Sequence, residues 1–161
     1  MPQPENPSRN IEVRPISAAE TLPLRMAVLR PNRPVSASQF VGDDAPTTRH
    51  FGAFQAGKNF GIASLFRVEM EDYPGRSALQ LRGMATAPEV RGAGFGRALV
   101  FACIDFARNI DAEILWCNAR TSALGFYEKL GFEIVGKEFE IPDVGPHFRM
   151  LMELNGAAPT E

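Results

Sequence analysis

The sequence predicts a single α/β or α+β domain in which helices pack against a mixed β-sheet. Several segments alternate apolar and polar residues as strands do, and others place apolar residues three or four positions apart as helices do. With 161 residues, of which 45% are hydrophobic, the chain is long enough to bury a core of its own. We expect the domain to span residues 11–154, with flexible ends at 1–10 and 155–161.

The chain is predicted to contain both strands and helices between residues 11 and 154. Seven segments have the pattern of strands, at residues 11–16, 50–54, 60–68, 79–87, 111–117, 132–141 and 148–154. Three segments have the helical period, at residues 17–30, 95–106 and 123–130. Ser17 and Glu20 form a capping box at the first helix, and Gly131 ends the third. A turn is predicted at residues 57–59, and Gly83 inside a strand indicates a bulge or a close approach by another group.

The composition argues against several classes of partner. A formal net charge of -2 gives no electrostatic reason to expect nucleic acid or an anionic membrane. The first ten residues lack the apolar region of a secretory signal, and the sequence has no apolar run long enough to span a bilayer. Cys103 and Cys117 lie in apolar segments without metal-ligand spacing, which indicates buried, reduced thiols. We therefore expect a cytoplasmic protein without a metal.

A glycine-rich segment, residues 91–96, joins a predicted strand to the second predicted helix. Glycines let the main chain approach a ligand, and unpaired N–H groups at a helix N-terminus bind anions. Arg97 occupies the third glycine position of a dinucleotide fingerprint, and the Gly-Lys-Ser/Thr of a nucleotide-triphosphate loop is absent. The pattern that fits is R-x-x-G-x-G, at Arg91, Gly94 and Gly96. The segment predicts an anion site, and a turn without a ligand is the alternative.

A second block, at residues 123–132, follows the glycine segment by about 30 residues, with a predicted helix and strand between them. It reads A-x-x-F-Y-x-x-x-G-F, and with the glycine segment it resembles the GNAT superfamily of acyl-CoA-dependent N-acetyltransferases. The likeness runs from Leu81 through Leu154. It implies a mixed, mostly antiparallel central sheet of about six to seven strands flanked by helices. It also implies transfer of an acetyl group from acetyl-CoA to a primary amine, by direct attack in a ternary complex.

The resemblance implies how acetyl-CoA is bound. In the family, amides around the glycine segment bind the pyrophosphate, and the main chain of the preceding strand pairs with the pantetheine arm. Carried over, the pyrophosphate residues are Val90, Arg91, Gly92, Gly94, Phe95, Gly96 and Arg97, and the pantetheine residues are Met84, Ala85 and Thr86. Asn118 is a further expected cofactor residue, although many members carry this asparagine where the chain has Arg120. Arg120 would contact a phosphate, an acidic group of the substrate, or only solvent.

Acetyl transfer to an amine needs a base, an oxyanion donor and an acid. An alkylammonium has a pKa near 10, so it must lose a proton before it attacks the thioester. The family commonly places a tyrosine near the coenzyme sulfur at the position of Tyr127, which implies this residue as the acid. A core tyrosine with a satisfied hydroxyl would give the same pattern. The oxyanion donor is expected to be a main-chain N–H near Met84 or Ala85.

The sequence leaves the base open. Some family members carry a glutamate in the strand before the glycine segment, but residues 77–81 contain none. The candidates are His50, Glu71, Asp72, His147 and an ordered water.

The acceptor is expected near two polar loops, at residues 31–50 and 70–78, and the end of the chain. The acidic pairs Asp43-Asp44 and Glu71-Asp72 in these loops would suit a cationic amine, carried by a small molecule or a peptide. Because the family's glutamate is missing and its asparagine is displaced, a non-catalytic acyl-CoA-binding or sensing module on the same fold is the alternative. Family members often pair, so a homodimer is a further expectation.

Overall fold

The computed structural model describes residues 10–154. Its strands are β1 (Glu12–Ile16), β2 (Arg49–Gln55), β3 (Lys58–Arg67), β4 (Ala78–Thr86), β5 (Ile114–Arg120), β6 (Glu133–Ile141) and β7 (Gly145–Glu153). Its α-helices are α1 (Ala18–Leu24), α2 (Phe95–Asn109) and α3 (Leu124–Lys129), and a π-helical segment, Arg25–Leu29, continues α1. Short 3₁₀ helices occur at Val35–Ser38, Pro88–Val90 and Thr121–Ala123. Apart from Asn10, the flexible ends predicted at 1–10 and 155–161 lie outside the described residues.

The strands form one seven-stranded sheet in the order β1-β2-β3-β4-β5-β7-β6. The pairs β1–β2, β2–β3, β5–β7 and β6–β7 are antiparallel, whereas β4 and β5 are parallel. A parallel pair needs a crossover connection, and α2 lies in the connection between β4 and β5. The predicted mixed and mostly antiparallel sheet with flanking helices is confirmed.

The contacts within the chain define two units. The first contains the described residues up to Phe66 together with Gly83–Cys103, and the second contains Arg67–Arg82 together with the described residues from Ile104 onward. The glycine segment belongs to the first unit and Tyr127 to the second. The extent of the domain, residues 11–154, stays a prediction.

In the first unit, α1 begins with the predicted capping box. Ser17 Oγ accepts a hydrogen bond from the Glu20 N–H at 3.2 Å, and the Glu20 carboxylate accepts one from the Ser17 N–H at 2.9 Å. Both bonds satisfy N–H groups that a helix start leaves without a partner. The π-helical continuation ends at Leu29, just before Pro31 as predicted.

The hairpin of β2 and β3 turns one residue earlier than the sequence suggested. Ala56 and Gly57 have φ values of 51° and 81°, and a two-residue hairpin turn of type I′ needs positive φ at both central positions. Lys58 and Asn59 resemble turn residues, but their main chain already belongs to β3, where Lys58 pairs with Gln55. The predicted hairpin is confirmed, and its turn moves from residues 57–59 to 56–57.

In the second unit, β5 lies later in the chain than predicted. Asp111 has φ 59° and its N–H donates to the Arg108 carbonyl at 3.0 Å, so this residue ends α2 instead of starting a strand. β5 then extends into polar sequence as far as Arg120, which pairs with His147 of β7. Main-chain hydrogen bonds set both ends of β5, and the apolar pattern of the sequence does not reveal them. One hydrophobic core cluster of this unit consists of the buried residues Met70, Ala78, Ile114, Trp116 and Leu151.

Both cysteines are buried and unpaired, as predicted. Burial raises the pKa of the Cys117 thiol to about 12 and raises that of Cys103 further, so both stay protonated and are poor nucleophiles. Within residues 10–154, no group of three or more His, Cys, Asp or Glu side chains is arranged to hold a metal ion. The helices in this part of the chain are too short or too polar to cross a membrane.

Candidate active site

The glycine segment connects β4 to α2 in the first unit. Gly92 and Gly94 have φ values of 81° and 95°, in the left-handed region that favours glycine. A Cβ on Gly92 would meet no atom within 4 Å, so the main chain there faces open space. Phe95 begins α2 with 1% of its surface exposed and its ring 5.7 Å from that of Phe60. The core therefore fixes the start of the helix, while the turn ahead of it is open to a ligand.

The N–H groups at this helix start are available to an anion. No described residue accepts a hydrogen bond from the main-chain N–H of Gly92, Gly94, Phe95, Gly96 or Arg97. Val90 differs, because its N–H donates to the Ala87 carbonyl at 3.1 Å. Arg91 and Arg97 are exposed, and the first turn of α2 carries no acidic residue. Unpaired amides, the positive end of a helix and two cations together suit a pyrophosphate.

In β4, the residue just before those predicted to pair with the pantetheine arm has a left-handed backbone conformation. Gly83 has φ 61°, and a Cβ there would lie 2.9 Å from the Phe40 ring and 3.3 Å from Arg25 Nε. Glycine is therefore required by both conformation and space, and the predicted close approach is confirmed. Of the three residues that follow, Ala85 is buried, and Met84 and Thr86 are half-buried.

The loop after α1 is held by a buried ion pair that the sequence did not suggest. Arg25 is fully buried, and its guanidinium donates to both carboxylate oxygens of Asp43, at 2.7 and 3.1 Å. Burial alone would raise the pKa of Asp43, but hydrogen bonds from Arg25 and from the Phe40 N–H outweigh it and lower that pKa. The sequence suggested Asp43 as a contact for a cationic amine, but its carboxylate instead forms an ion pair with Arg25. Its neighbour Asp44 is exposed.

His50 belongs to the same network, and both of its ring nitrogens are engaged. Nε2 lies 2.9 Å from the Asp43 main-chain oxygen, which only accepts, so Nε2 carries the proton of the neutral ring. Nδ1 then accepts from the Ser64 hydroxyl at 2.6 Å, and Ser64 Oγ accepts from Arg25 at 3.0 Å. His50 therefore holds the loop in place through its hydrogen bonds, and neither ring nitrogen is left to take a proton from a substrate.

Tyr127 lies on α3 in the second unit and is 8% exposed. The helix ends in a Schellman motif, in which the Phe132 N–H donates to the Tyr127 carbonyl and the Gly131 N–H donates to that of Glu128, both at 3.1 Å. Gly131 has φ 104°, as predicted for this helix end. The Tyr127 ring contacts Phe126 and Phe132 at centroid distances of 5.0 and 5.4 Å. The backbone motif and the two rings together hold the tyrosine in one orientation.

In the second unit, one face of the β5–β7 pair carries four polar side chains towards the end of β5. Asn118 pairs with Arg149 and Arg120 pairs with His147, so these four side chains share a face. Asn118 Oδ1 and Arg149 Nε are buried and have no hydrogen-bond partner among the described residues. Orphaned polar atoms of this kind cost about 1–3 kcal/mol each unless a bound group meets them. Asn118 Oδ1 can therefore accept a hydrogen bond from a ligand, and its role as a cofactor residue stays a prediction.

Arg149 engages the acidic pair of the second polar loop. Its guanidinium donates to Asp72 at 2.9 Å and lies 3.8 Å from a Glu71 oxygen. It also lies 5.5 and 5.9 Å from the ring centroids of Trp116 and Phe139. Arg149 is therefore the cation next to both carboxylates, which are two of the candidate bases.

Sequence reasoning missed Arg25 and Arg149, the two arginines that engage the acidic loops. An alternation signal was present for Arg149, since Trp116, Asn118 and Arg120 share one face of β5 and His147 and Arg149 share one face of β7. For Arg25 no local signal existed, because its partners Asp43 and Ser64 lie 18 and 39 residues away.

The chain is similar to known acetyltransferases in sequence and in fold. The family model described as an acetyltransferase (GNAT) domain matches residues 33–154. The uncharacterized N-acetyltransferase YitI of Bacillus subtilis (strain 168) is 33% identical over 144 residues, covering 89% of this chain and 97% of YitI.

Two solved structures share the fold. A GCN5-related N-acetyltransferase from Kribbella flavida superposes with a TM-score of 0.70 at 22% identity, covering 91% of this chain and 99% of that one. The protein yncA from Salmonella typhimurium, solved with its cofactor acetyl-CoA, superposes with a TM-score of 0.71 at 13% identity, covering 94% of this chain and 98% of that one. The family match over 33–154 and the likeness to YitI along nearly its whole length show that the chain belongs to the GNAT family of acetyltransferases and is an acyltransferase.

Proposed function

We propose that the chain transfers the acetyl group of acetyl-CoA to a primary amine of a small molecule or a peptide, by direct attack in a ternary complex. The observation that carries this proposal is the glycine segment, whose unpaired amides stand at the positive end of α2. Membership of the GNAT family supplies the class of reaction. A cytoplasmic location and a homodimer stay predictions.

The proposed coenzyme site uses main-chain groups of the first unit. The N–H groups of Gly92, Gly94, Phe95 and Gly96, with the side chains of Arg91 and Arg97, hold the pyrophosphate. Val90 shapes the turn, and its N–H donates to the Ala87 carbonyl instead of to the pyrophosphate. The main chain of Met84, Ala85 and Thr86 pairs with the pantetheine arm, and Asn118 Oδ1 accepts a hydrogen bond from it.

Two groups of the chain are proposed to act on the thioester. A main-chain N–H near Met84 or Ala85 stabilises the oxyanion that forms when the amine attacks. The Tyr127 hydroxyl gives its proton to the departing sulfur, so the coenzyme leaves as a thiol. The orientation of the Tyr127 ring by Phe126 and Phe132 supports this role, because a general acid must be held in place.

The arginine contacts of the acidic loops bear on how the acceptor amine is recognised. Three of the four loop carboxylates proposed for a cationic amine, those of Asp43, Glu71 and Asp72, contact arginines. Asp44 is exposed, as are Glu71 and Asp72. We therefore expect acceptors to be selected by more than cationic charge.

The experiment is a thiol-release assay with acetyl-CoA and a panel of primary amines. The panel contains amino acids, polyamines, amino sugars, and peptides with a free N-terminus or a lysine. At least one class is expected to accelerate thiol release and to gain an acetyl group by mass spectrometry. The protein without amine and acetyl-CoA without protein are the controls. A protein that binds acetyl-CoA but releases thiol with no amine would be a non-catalytic binder, contrary to this proposal.

A further inference from the structure

His147 in β7 is a buried imidazole with one uncommitted nitrogen. We propose that His147 is the general base that takes the proton of the acceptor amine. The inference rests on the proposed function, since it assigns one more role in the same reaction.

Hydrogen bonding fixes which nitrogen of His147 is basic. Nδ1 lies 2.8 Å from the Gly145 main-chain oxygen, and because a carbonyl only accepts, Nδ1 carries the proton of the neutral ring. Nε2 then presents its lone pair. His147 is 4% exposed, and its ring lies 6.1 Å from the ring of Phe139. The backbone bond and the aromatic contact together hold the imidazole in one orientation, as a base requires.

The second ring nitrogen of His147, Nε2, is uncommitted. No described residue hydrogen-bonds to this atom. Nε2 is therefore the ring nitrogen that remains able to accept a proton.

The other candidate side chains are already engaged. His50 donates from Nε2 to the Asp43 carbonyl and accepts at Nδ1 from Ser64. Asp72 and Glu71 face the guanidinium of Arg149, at 2.9 and 3.8 Å. Of the two histidines, His147 is the one with a ring nitrogen that has no partner among the described residues.

His147 and Tyr127 lie on opposite faces of the β5–β7 pair. In the register, Met150 and Met152 share one face, and His147 and Arg149 share the other. A Cβ on Gly131, which ends α3, would lie 3.3 Å from Met152, so α3 and its Tyr127 cover the first face. His147 therefore shares its face with Asn118, the proposed partner of the pantetheine arm, and lies across the strand pair from α3.

The charged groups around the ring come from three strands. Arg120 of β5 lies opposite His147, and Arg149 lies two residues along β7, with Asp72 and Glu71 against it. On β6, Phe139 pairs with His147 between Glu138 and Glu140. The Glu138 carboxylate accepts from the Thr121 hydroxyl at 2.8 Å.

The proton balance closes with both residues. The amine nitrogen forms a bond to the carbonyl carbon and gives a proton to Nε2 of His147. The carbon–sulfur bond breaks, and the sulfur takes the Tyr127 hydroxyl proton. His147 releases its proton to water and Tyr127 regains one from water, so an amine and a thioester give an amide and a thiol.

The test compares His147→Gln with His50→Gln, using an amine that the wild-type protein acetylates and recording kcat against pH. His147→Gln is expected to lower kcat at neutral pH by about 10²–10⁴-fold and to remove the acidic limb that belongs to the base. A limb that belongs to the amine stays in both proteins. Acetyl-CoA affinity is expected to stay within about twofold of the wild type. His50→Gln is the matched control: it removes the other histidine, and it is expected to lower stability and to keep the limb.

A wild-type kcat with an unchanged acidic limb in folded His147→Gln would overturn the proposal. If that variant does not fold, NMR of the wild-type imidazoles decides: the His147 titration must coincide with the acidic limb of kcat, and a mismatch overturns it. Failure of the proposed function looks different, because the wild type would then acetylate no amine at all.

Discussion

Tyr127 has a structural task in α3 as well as its proposed chemical one. Its carbonyl accepts the hydrogen bond that closes the helix, and its ring packs between Phe126 and Phe132. A phenylalanine at this position would keep the ring contacts and the backbone bond while removing the hydroxyl. The two tasks can therefore be separated by one oxygen atom.

We expect Tyr127→Phe to lower kcat on the order of 10²-fold, because the sulfur would leave without a proton from the chain. Acetyl-CoA affinity should be little changed. Tyr73→Phe is the control, since Tyr73 is the other tyrosine of the chain and is 39% exposed. Steady-state kinetics across pH measure both variants. Turnover equal to the wild type at every pH would remove Tyr127 from the mechanism.

Asp43→Asn is expected to destabilise the protein. The substitution leaves the guanidinium of Arg25 buried without its counter-charge, and breaking a buried pair in this way costs about 3–5 kcal/mol. Asp44→Asn, at the exposed neighbouring position, should change the free energy of unfolding by less than about 0.5 kcal/mol. Urea unfolding at neutral pH measures both. Equal effects of the two substitutions would contradict the importance of the Arg25–Asp43 pair.

The same pair makes stability depend on pH. The pKa of Asp43 is lower in the folded than in the unfolded protein, so in acid the unfolded state binds the additional proton. The stabilisation is fully present above the unfolded pKa and is lost as pH falls through the folded pKa. Urea unfolding of wild type and Asp43→Asn should therefore give free energies that converge in acid. A constant difference down to about pH 2 would contradict this linkage.

At the scale of elements, the glycine segment combines two requirements. Gly92 and Gly94 supply positive φ values, and the open space at Gly92 leaves the main chain accessible. Gly75 offers a comparison, since it has φ 84° and a Cβ there would also meet no atom within 4 Å. Substitution of either Gly92 or Gly75 by alanine thus imposes similar backbone strain.

We expect Gly92→Ala and Gly75→Ala each to lose about 1–2 kcal/mol of stability, because alanine resists the left-handed conformation. Only Gly92→Ala is expected to weaken acetyl-CoA binding, by about tenfold, since its methyl group occupies the face that approaches the pyrophosphate. Calorimetric titration with acetyl-CoA measures the affinities. Equal affinities for the two variants would place the pyrophosphate elsewhere.

Local signals account for the elements that the sequence predicted well. The capping box of Ser17 and Glu20 and the helix end at Gly131 depend on residues at most five apart, so their patterns are complete within a short window. The start of β5 was placed too early because the apolar run does not show that Asp111 closes α2. The end at Arg120 depends on pairing with β7, which lies beyond any local pattern.

At the scale of the whole chain, the type of sheet and the family followed from two motifs, but the polar network did not. Arg25 reaches Asp43 and Ser64, and Arg149 reaches Asp72 from 77 residues away. Charged residues in polar loops are usually solvated, so nothing in the local sequence pairs these residues. Because the partners lie so far apart along the sequence, the acidic loops alone suggested a cationic ligand, whereas most of their carboxylates contact arginines of the chain. The same separations also explain why the sequence left His50 and His147 equivalent.

The central claim is that the R-x-x-G-x-G turn makes this chain bind an acyl-CoA, and thermal unfolding with added ligand tests it directly. At 100 times its Kd, acetyl-CoA should stabilise the folded protein by about 2.7 kcal/mol, which raises Tm by roughly 5–10 °C. ATP and NAD serve as comparison ligands, because the segment lacks the spacing of their binding loops. The account predicts a shift that saturates with acetyl-CoA and is small with ATP or NAD at equal concentration. No shift with acetyl-CoA, or an equal shift with NAD, would contradict it.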